Sequence, residues 1–400
     1  MRPHDWEGRM HLVFATSIVP AGNPSTGYEI ANAAVIDALR RAGVRVTVLG
    51  FIWPGAQPSD PDGTIVLGEV DVRTDNASGV QKAAWLVKAI SSGLTFSSVK
   101  LRAVSPDAVR AALRGIGPFD GYVVNAVQLA GAFEDVFADK PSIFVAHNVE
   151  YRSAEENAEA ADTVMQKVLY AREAKLLQAI EERLCRRASF VWTLADEDRP
   201  LLGVANDMRS ATLPLVVSLK TPPAPAPRAV ECDAAMIGTW TWQPNRIGLD
   251  WFLGEVAPHL PPDFRVRIAG KMPASVTSDH PGVEFAGFVP DASDFVRSGK
   301  VIPLISRAGT GVQLKTIETF ELGLPSVATS RSLRGIAGRP DNCVVADDPR
   351  AFAEALVAAA ANPPGDSDGR SFHAAQRAAL DSAIGLGLDR LVASRREAAA

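Results

Sequence analysis

The richest chemistry in this chain lies in one short run, Ser306-Arg307-Ala308-Gly309-Thr310-Gly311-Val312-Gln313-Leu314-Lys315-Thr316-Ile317-Glu318. Gly309 and Gly311 let the backbone approach a ligand closely. The helix expected after them brings free N–H groups and a partial positive charge to the same place. A diphosphate is the anion such a loop suits. Lys315 adds a full charge one turn in, and Arg307 offers a planar fork at the loop's mouth. Glu318, a turn further on, can accept hydrogen bonds from ribose hydroxyls. Taken alone, the same residues also describe an ordinary turn before a helix, with Lys315 and Glu318 as a surface i,i+3 pair. A second candidate is His147, directly after the apolar run Ser142 to Ala146; its ring can hydrogen-bond a hydroxyl without serving as an obligatory base. Asp-x-Asp runs at Asp60 and Asp62, Asp196 and Asp198, and Asp366 and Asp368 fall in expected loops or helix starts, so no metal is predicted.

These residues need a scaffold that presents loops at one edge. His11 to Thr16 is a short apolar run, followed by a loop with Pro20, Gly22, Pro24 and Gly27. Helical spacing over Tyr28 to Ala42 closes at Gly43, and a second apolar run spans Val44 to Phe51. Strand, loop, helix and strand in this order open a parallel βαβ unit. Further strands are expected at Gly121 to Asn125, Ser142 to Ala146 and Ser189 to Leu194, with helical stretches from Ala126, through Glu150 to Ala188, and over Ala195 to Leu202. Prolines 222, 223, 225 and 227 mark a semi-rigid connector. Alternation then restarts: strand Ala234 to Gly238, helix Asn245 to Val256, and strands Arg265 to Ala269, Val283 to Phe285, Val301 to Leu304 and Ser326 to Ala328. Ala-rich helix is expected over Ala351 to Ala361 and Ser371 to Arg396. Two α/β domains result: 1–215 and 231–375, joined by the linker 216–230, with a terminal helix over 376–400. In open parallel sheets ligands bind beyond the carboxyl ends of the strands, which is where the Arg307 to Glu318 run sits.

Composition narrows the function classes. Four hundred residues, 47% hydrophobic and 22% charged, suit two globular cores rather than a disordered or fibrous chain. A net charge of -5 gives no global attraction to nucleic acid, and no nucleic-acid partner is expected. Cys185, Cys232 and Cys343 stand far apart without zinc-ligand spacing and are expected to be free, buried thiols. The first ten residues lack a secretory apolar core, and no run of ~18 apolar residues is present. The expected location is cytoplasmic, at the inner face of a membrane if anywhere near one; peripheral membrane contact is compatible with this composition.

The stretch Thr316 to Thr329, with Glu318, Gly323 and Pro325, resembles the glutamate helix, glycine-proline turn and following strand of group 1 glycosyltransferases. Ile237-Gly238-Thr239-Trp240 with Pro244-Asn245, Ile268 to Lys271, and Val283 to Val289 are similar to the strand ends of that family's donor domain. Val145 to Glu150, and Arg172-Glu173 to Asp198, resemble its acceptor domain. The likeness covers about 350 residues in the right order. It implies a GT-B fold, two Rossmann-like domains facing across a cleft, with the terminal helix packing back on the first. It also implies a nucleotide-sugar co-substrate, no cofactor, and transfer with retention to a glycan, lipid-linked or small-molecule acceptor. UDP-sugar is the favoured donor, GDP-sugar the next, and polysaccharide biosynthesis the setting. By the same resemblance Glu318 holds ribose, Lys315 and the backbone of Gly309, Thr310, Gly311, Val312 and Gln313 hold the diphosphate, and Phe288-Val289 hold the base. Gly238 belongs to the donor loop, His147 faces the donor sugar, and Gly22 and Gly27 line the opposite wall.

The chain departs from the family at two points. Many members carry an acidic residue eight positions before the helix glutamate, where this chain has Thr310, and an Arg and Lys after the donor domain's first strand, where it has Thr239, Trp240, Gln243 and Asn245. Arg246 or Arg307 is the expected replacement cation. Three other readings compete: a non-hydrolysing sugar-nucleotide epimerase on the same fold, a dinucleotide-dependent oxidoreductase, and a catalytically silent glycan- or nucleotide-binding protein. The spaced glycines of the dinucleotide fingerprint are missing from both first loops, which weighs against the oxidoreductase.

Overall fold

The computed structural model describes residues 10–22, 26–73 and 77–399. The chain divides into two units, Met1–Leu213 with Ala379–Ala400, and Pro214–Ala378.

In the first unit the strands are β1 His11–Ile18, β2 Arg45–Ile52, β3 Thr64–Glu69, β4 Gly121–Asn125, β5 Ser142–Ala146, β6 Phe190–Thr193 and β7 Ser210–Thr212. They form one parallel sheet in the order β3-β2-β1-β4-β5-β6-β7. The helices are α1 Gly27–Arg41, α2 Gly79–Ser92, α3 Phe96–Leu101, α4 Pro106–Gly115, α5 Val127–Ala132, α6 Glu150–Glu159, α7 Val164–Arg187 and α8 Asp198–Leu201. β1, β4 and β5 are buried almost throughout because helices cover both faces, which explains their unbroken apolar composition. Local chemistry sets the helix starts. Thr26 caps α1 by accepting the Glu29 N–H, Ser105 caps α4 with Pro106 in the first turn, and Thr163 and Gln166 form a capping box on α7.

The second unit repeats the plan. Its strands are β8 Cys232–Ile237, β9 Val266–Ala269, β10 Val283–Gly287, β11 Gly299–Leu304, β12 Ser326–Ala328 and β13 Cys343–Val345, parallel in the order β10-β9-β8-β11-β12-β13. Helices α9 Gln243–Trp251, α10 Ala292–Arg297, α11 Leu314–Glu321 and α12 Pro349–Ala361 cover it. In both sheets the order reverses beside the first strand, between β1 and β4 and between β8 and β11. Such a switch point at the carboxyl edge is where open α/β sheets bind their ligands.

α13, Gly369–Ala399, begins in the second unit and ends in the first. In the second unit His373 Nε2 meets Ser218 O at 2.8 Å and Phe372 packs edge-on against Phe320. In the first, Trp192 Nε1 donates to Ala383 O at 3.0 Å, and Arg395 pairs with Asp120 at 2.7 Å. A Cβ added to Gly387 would lie 2.4 Å from the Trp192 ring, so this close crossing needs glycine. The proline cluster lies outside helix and strand, and Arg228 at its end donates to Arg297 O, Lys300 O and Asp366, anchoring it to the second unit.

Some expected elements differ. The helix expected from Asn245 to Val256 starts at Gln243 and stops at Trp251, where a wider π turn, Phe252–Val256, takes over and both Trp251 and Phe252 turn inward. The helix expected over Ala195 to Leu202 is the single turn α8. β3, β13 and α2 to α4 had no counterpart in the sequence reading. β3 is a half-exposed edge strand and β13 only three residues long, so neither carries a buried apolar run. α2 buries only Ala89, so its apolar residues do not trace a core-facing stripe. The three cysteines are free and buried.

Candidate functional site

At the carboxyl edge of the second sheet, the loops after β8 and β11 meet. The indole of Trp240 is buried, its N–H donating to Ala269 O at 2.8 Å, and makes a fixed floor. Gly270, at φ 104°, lies so close to Gly238 that a Cβ would come 2.0 Å from Gly238 O. The strand ends β8 and β9 therefore pack tightly beneath the site.

After β11, Gly309 and Gly311 adopt φ of 87° and 73°, the left-handed region that other L-residues avoid. They turn the chain into α11, whose N-cap residue Gln313 makes no side-chain cap. The Thr316 N–H already donates to Gln313 O at 2.9 Å, while the N–H groups before it precede the intrahelical ladder and make the end electropositive. Lys315 extends from the first turn: its Nζ lies 5.1 Å from the Trp240 ring centroid and 3.5 Å from Asn245 Oδ1. The ammonium is held among protein atoms with no carboxylate pairing it among the described residues, and burial pushes its pKa down to about 8. Glu318, one turn on, has its pKa raised by burial and by the neighbouring carboxylates of Glu321 and Asp291. Lys315, Glu318, Trp240 and Leu304 line a cavity of about 20 Å³, room for a single water. A cation, an uncapped helix start and an under-solvated carboxylate thus stand side by side, ready for a ligand that carries both anionic and hydroxyl groups.

The other donor-side candidates separate. Thr310 and Gln313 are buried in the loop, Val312 is half-buried, and Gly238 directly follows β8. Phe288 is 90% exposed just past β10, an unsupported ring suited to stacking, while Val289 is half-buried. Arg307 turns away from Lys315: its guanidinium lies 4.7 Å from the Trp251 ring centroid and donates to Asp347 O at 3.2 Å. Arg246 donates to Asp250 at 2.6 Å and lines a separate polar cavity of about 250 Å³ with Thr277, Ser278 and Asp279. Two arginines that sequence reasoning passed over reach the glycine loop instead. Arg331 Nη2 donates to Gly309 O at 2.8 Å, and Arg334 Nε approaches Gly311 O at 3.5 Å. Only the adjacency of β11 and β12 brings them there.

In the first unit, His147 follows β5 at the switch-point edge, buried, with its ring 4.9 Å from that of Tyr28. A chain of hydrogen bonds settles its tautomer. Ile18 O can only accept, so Asn32 presents Nδ2 to it at 3.1 Å; Asn32 Oδ1 then accepts Asn125 Nδ2 at 2.7 Å; Asn125 Oδ1 therefore accepts His147 Nε2–H at 2.8 Å. Burial lowers the His147 pKa to about 4, so the ring is neutral near pH 7 and Nδ1 carries its lone pair. Thr16 and Tyr28 complete the network, with the Tyr28 hydroxyl 2.8 Å from Thr16 Oγ1. Asn125 is followed by Ala126 at φ 62°, the one non-glycine positive φ among the described residues, and such strain collects at functional edges. Sequence reasoning found His147 but missed Thr16, Tyr28, Asn32 and Asn125; the signal available was their place at strand ends or on the first helix. Of the glycines assigned to this unit, Gly22 donates to Gln57 O at 3.3 Å and Gly27 opens α1.

Each Asp-x-Asp run has at least one aspartate in an ion pair with the scaffold. Asp60 pairs with Arg40, Asp196 with Arg199, Asp366 with Arg228 and Asp368 with Arg370. Among the described residues no three His, Cys, Asp or Glu side chains converge as metal ligands.

Comparison with known proteins adds the following. Residues 232–362 match the model of the family described as Glycosyl transferases group 1. Among solved structures, the chain is similar to sucrose-phosphate synthase from Thermosynechococcus elongatus, with a TM-score of 0.61, 13% identity, and coverage of 98% of this chain and 100% of that one. It is also similar to the catalytic domain of starch synthase IV from Arabidopsis thaliana bound to ADP and acarbose (TM-score 0.59, 11% identity, 97% and 99% covered). A third is Anabaena HepE in complex with UDP (TM-score 0.52, 12% identity, 97% and 100% covered). At these identities the likeness establishes the fold. No curated protein matches the chain. Among the described residues no helix is long and apolar enough to cross a membrane.

Proposed function

We propose that this chain, which has a GT-B fold and whose residues 232–362 match the group 1 glycosyltransferase family, is a glycosyltransferase whose second unit binds a nucleoside-diphosphate sugar and donates the sugar to a glycan, lipid-linked or small-molecule acceptor. The observation that carries the reading is the pair of left-handed glycines leading into the uncapped start of α11, with Lys315 and Glu318 on its first two turns. Sugar transfer passes through a transition state in which negative charge grows on the departing diphosphate. Groups already aimed at that charge lower the barrier most. The α11 N-terminus and Lys315 supply such groups from the chain itself, Glu318 takes the ribose hydroxyls, and Phe288 offers its face to the base. His147 is assigned a hydrogen bond to a substrate hydroxyl, made as a neutral imidazole.

A UDP-sugar is the donor we favour and a GDP-sugar the next; HepE was solved with UDP, and starch synthase IV with ADP. Retention of anomeric configuration is proposed from the family likeness alone. Thermal-shift titration with UDP-, GDP- and ADP-sugars tests the donor class, because a ligand that binds only the native state raises the melting temperature. Stabilisation by one of the three, followed by nucleoside diphosphate release in the presence of a suitable acceptor, is the expected result. No stabilisation by any of them would remove the reading. Conversion of the donor to a second sugar nucleotide with no acceptor present would assign an epimerase instead.

A further inference from the structure

The cations expected to replace the family's missing Arg and Lys, Arg246 and Arg307, are engaged with Asp250 and with Asp347 and Trp251. Among the described residues, Arg331 and Arg334, on the turn after β12, bring guanidiniums to the glycine loop, at the carbonyls of Gly309 and Gly311. In a planar trans peptide the C=O and the N–H of the next residue point in opposite directions. Holding these two carbonyls therefore aims the N–H groups of Thr310 and Val312 to the side of the loop opposite the guanidiniums. A positive charge on a carbonyl also polarises its peptide and strengthens the bond its N–H donates.

We propose that Arg331 and Arg334 are positioning residues for the diphosphate: they set the glycine loop's N–H groups toward the anion and supply the charge that Arg246 and Arg307 do not. The proposal rests on the reading of the α11 loop as a diphosphate site. Arginine does not deprotonate under assay conditions, so this charge persists where that of Lys315 titrates away.

The test compares affinities by calorimetry for UDP, GDP and ADP against uridine, guanosine and adenosine, in the full chain and in Arg331→Gln, Arg334→Gln and the two Lys variants. For the base that binds, each Gln variant should lose about tenfold in diphosphate affinity while nucleoside affinity stays within about twofold. Arg331→Lys and Arg334→Lys should recover part of the loss. A parallel fall of both ligands would mean the arginines serve only the fold, and no fall in either variant would mean they serve nothing at this site; both results overturn the proposal. Arg334→Gln removes the longer contact and provides the answer should Arg331→Gln fail to fold. A wild-type chain that binds nucleoside and diphosphate equally would instead overturn the underlying reading of the loop, and the proposal with it.

Discussion

Lys315 makes the diphosphate reading quantitative. Among the described residues its ammonium has no carboxylate to pair with, and burial lowers its pKa to about 8 in the unliganded chain. A bound diphosphate favours the charged form, so binding should take up a proton whenever the pH exceeds that value. The sign follows: the Lys315 contribution is complete well below pH 8 and is lost as pH rises through it. At pH 7 roughly nine-tenths of the side chains are charged and at pH 9 roughly one-tenth, so affinity should fall about tenfold across that interval, about 1.4 kcal/mol. Phosphate groups with a second pKa near 6 are already about nine-tenths ionised at pH 7 and more so above it, so they add little slope, and of opposite sign. The assay is calorimetric titration of UDP, or whichever nucleoside diphosphate binds, at intervals from pH 7 to 9.5, with the nucleoside as control. Lys315→Met should bind weakly with no slope, and the nucleoside should show none in either protein. A wild-type diphosphate affinity that stays flat from pH 7 to 9.5 would refute the assignment of Lys315 to the phosphates.

Glu318→Ala should weaken nucleoside and diphosphate alike by about 10- to 100-fold, since it removes charge-assisted bonds to ribose; a loss confined to the diphosphate would contradict its role. His147→Ala should keep nucleotide binding yet lose most transfer, and wild-type turnover should show no His147 inflection between pH 5.5 and 8, because burial holds that pKa near 4. An imidazole titration near 6.5 by NMR would refute the buried, neutral assignment. Asn125→Ala strands His147 Nε2–H and Asn32 Oδ1, and should cost about 1–3 kcal/mol in chemical denaturation for each buried group left unpaired. Gly387→Ala forces a Cβ against the buried Trp192 ring and should cost about 1–3 kcal/mol; an unchanged melting temperature would show that the α13 crossing has slack.

Much of the site was legible because its logic is local. Gly309 and Gly311 announce a left-handed loop since other residues pay for positive φ, and Lys315 and Glu318 share a helix face by their spacing alone. His147 could be found because an apolar run ending in a polar residue places that residue at a strand's carboxyl end. The βα alternation likewise announces two parallel sheets, because a buried parallel strand must be apolar on both faces. What the sequence by itself determined was therefore the pair of α/β units, the loop that suits a diphosphate and the residue types offered there.

Only the tertiary structure decided which charges stay at the loop. Arg307 borders it in sequence and Arg246 follows the second unit's first strand, yet they bind Asp347 and Asp250, while Arg331 and Arg334, beyond the next strand, take its carbonyls. Ion pairs and hydrogen bonds are settled over a few ångströms, and those distances follow from strand order, which places β12 beside β11 and β4 beside β1. The same order assembles Thr16, Tyr28, Asn32 and Asn125 around His147 from segments about a hundred residues apart, and so selects its tautomer. No periodicity along a chain encodes such a neighbourhood; it exists once the sheets have formed.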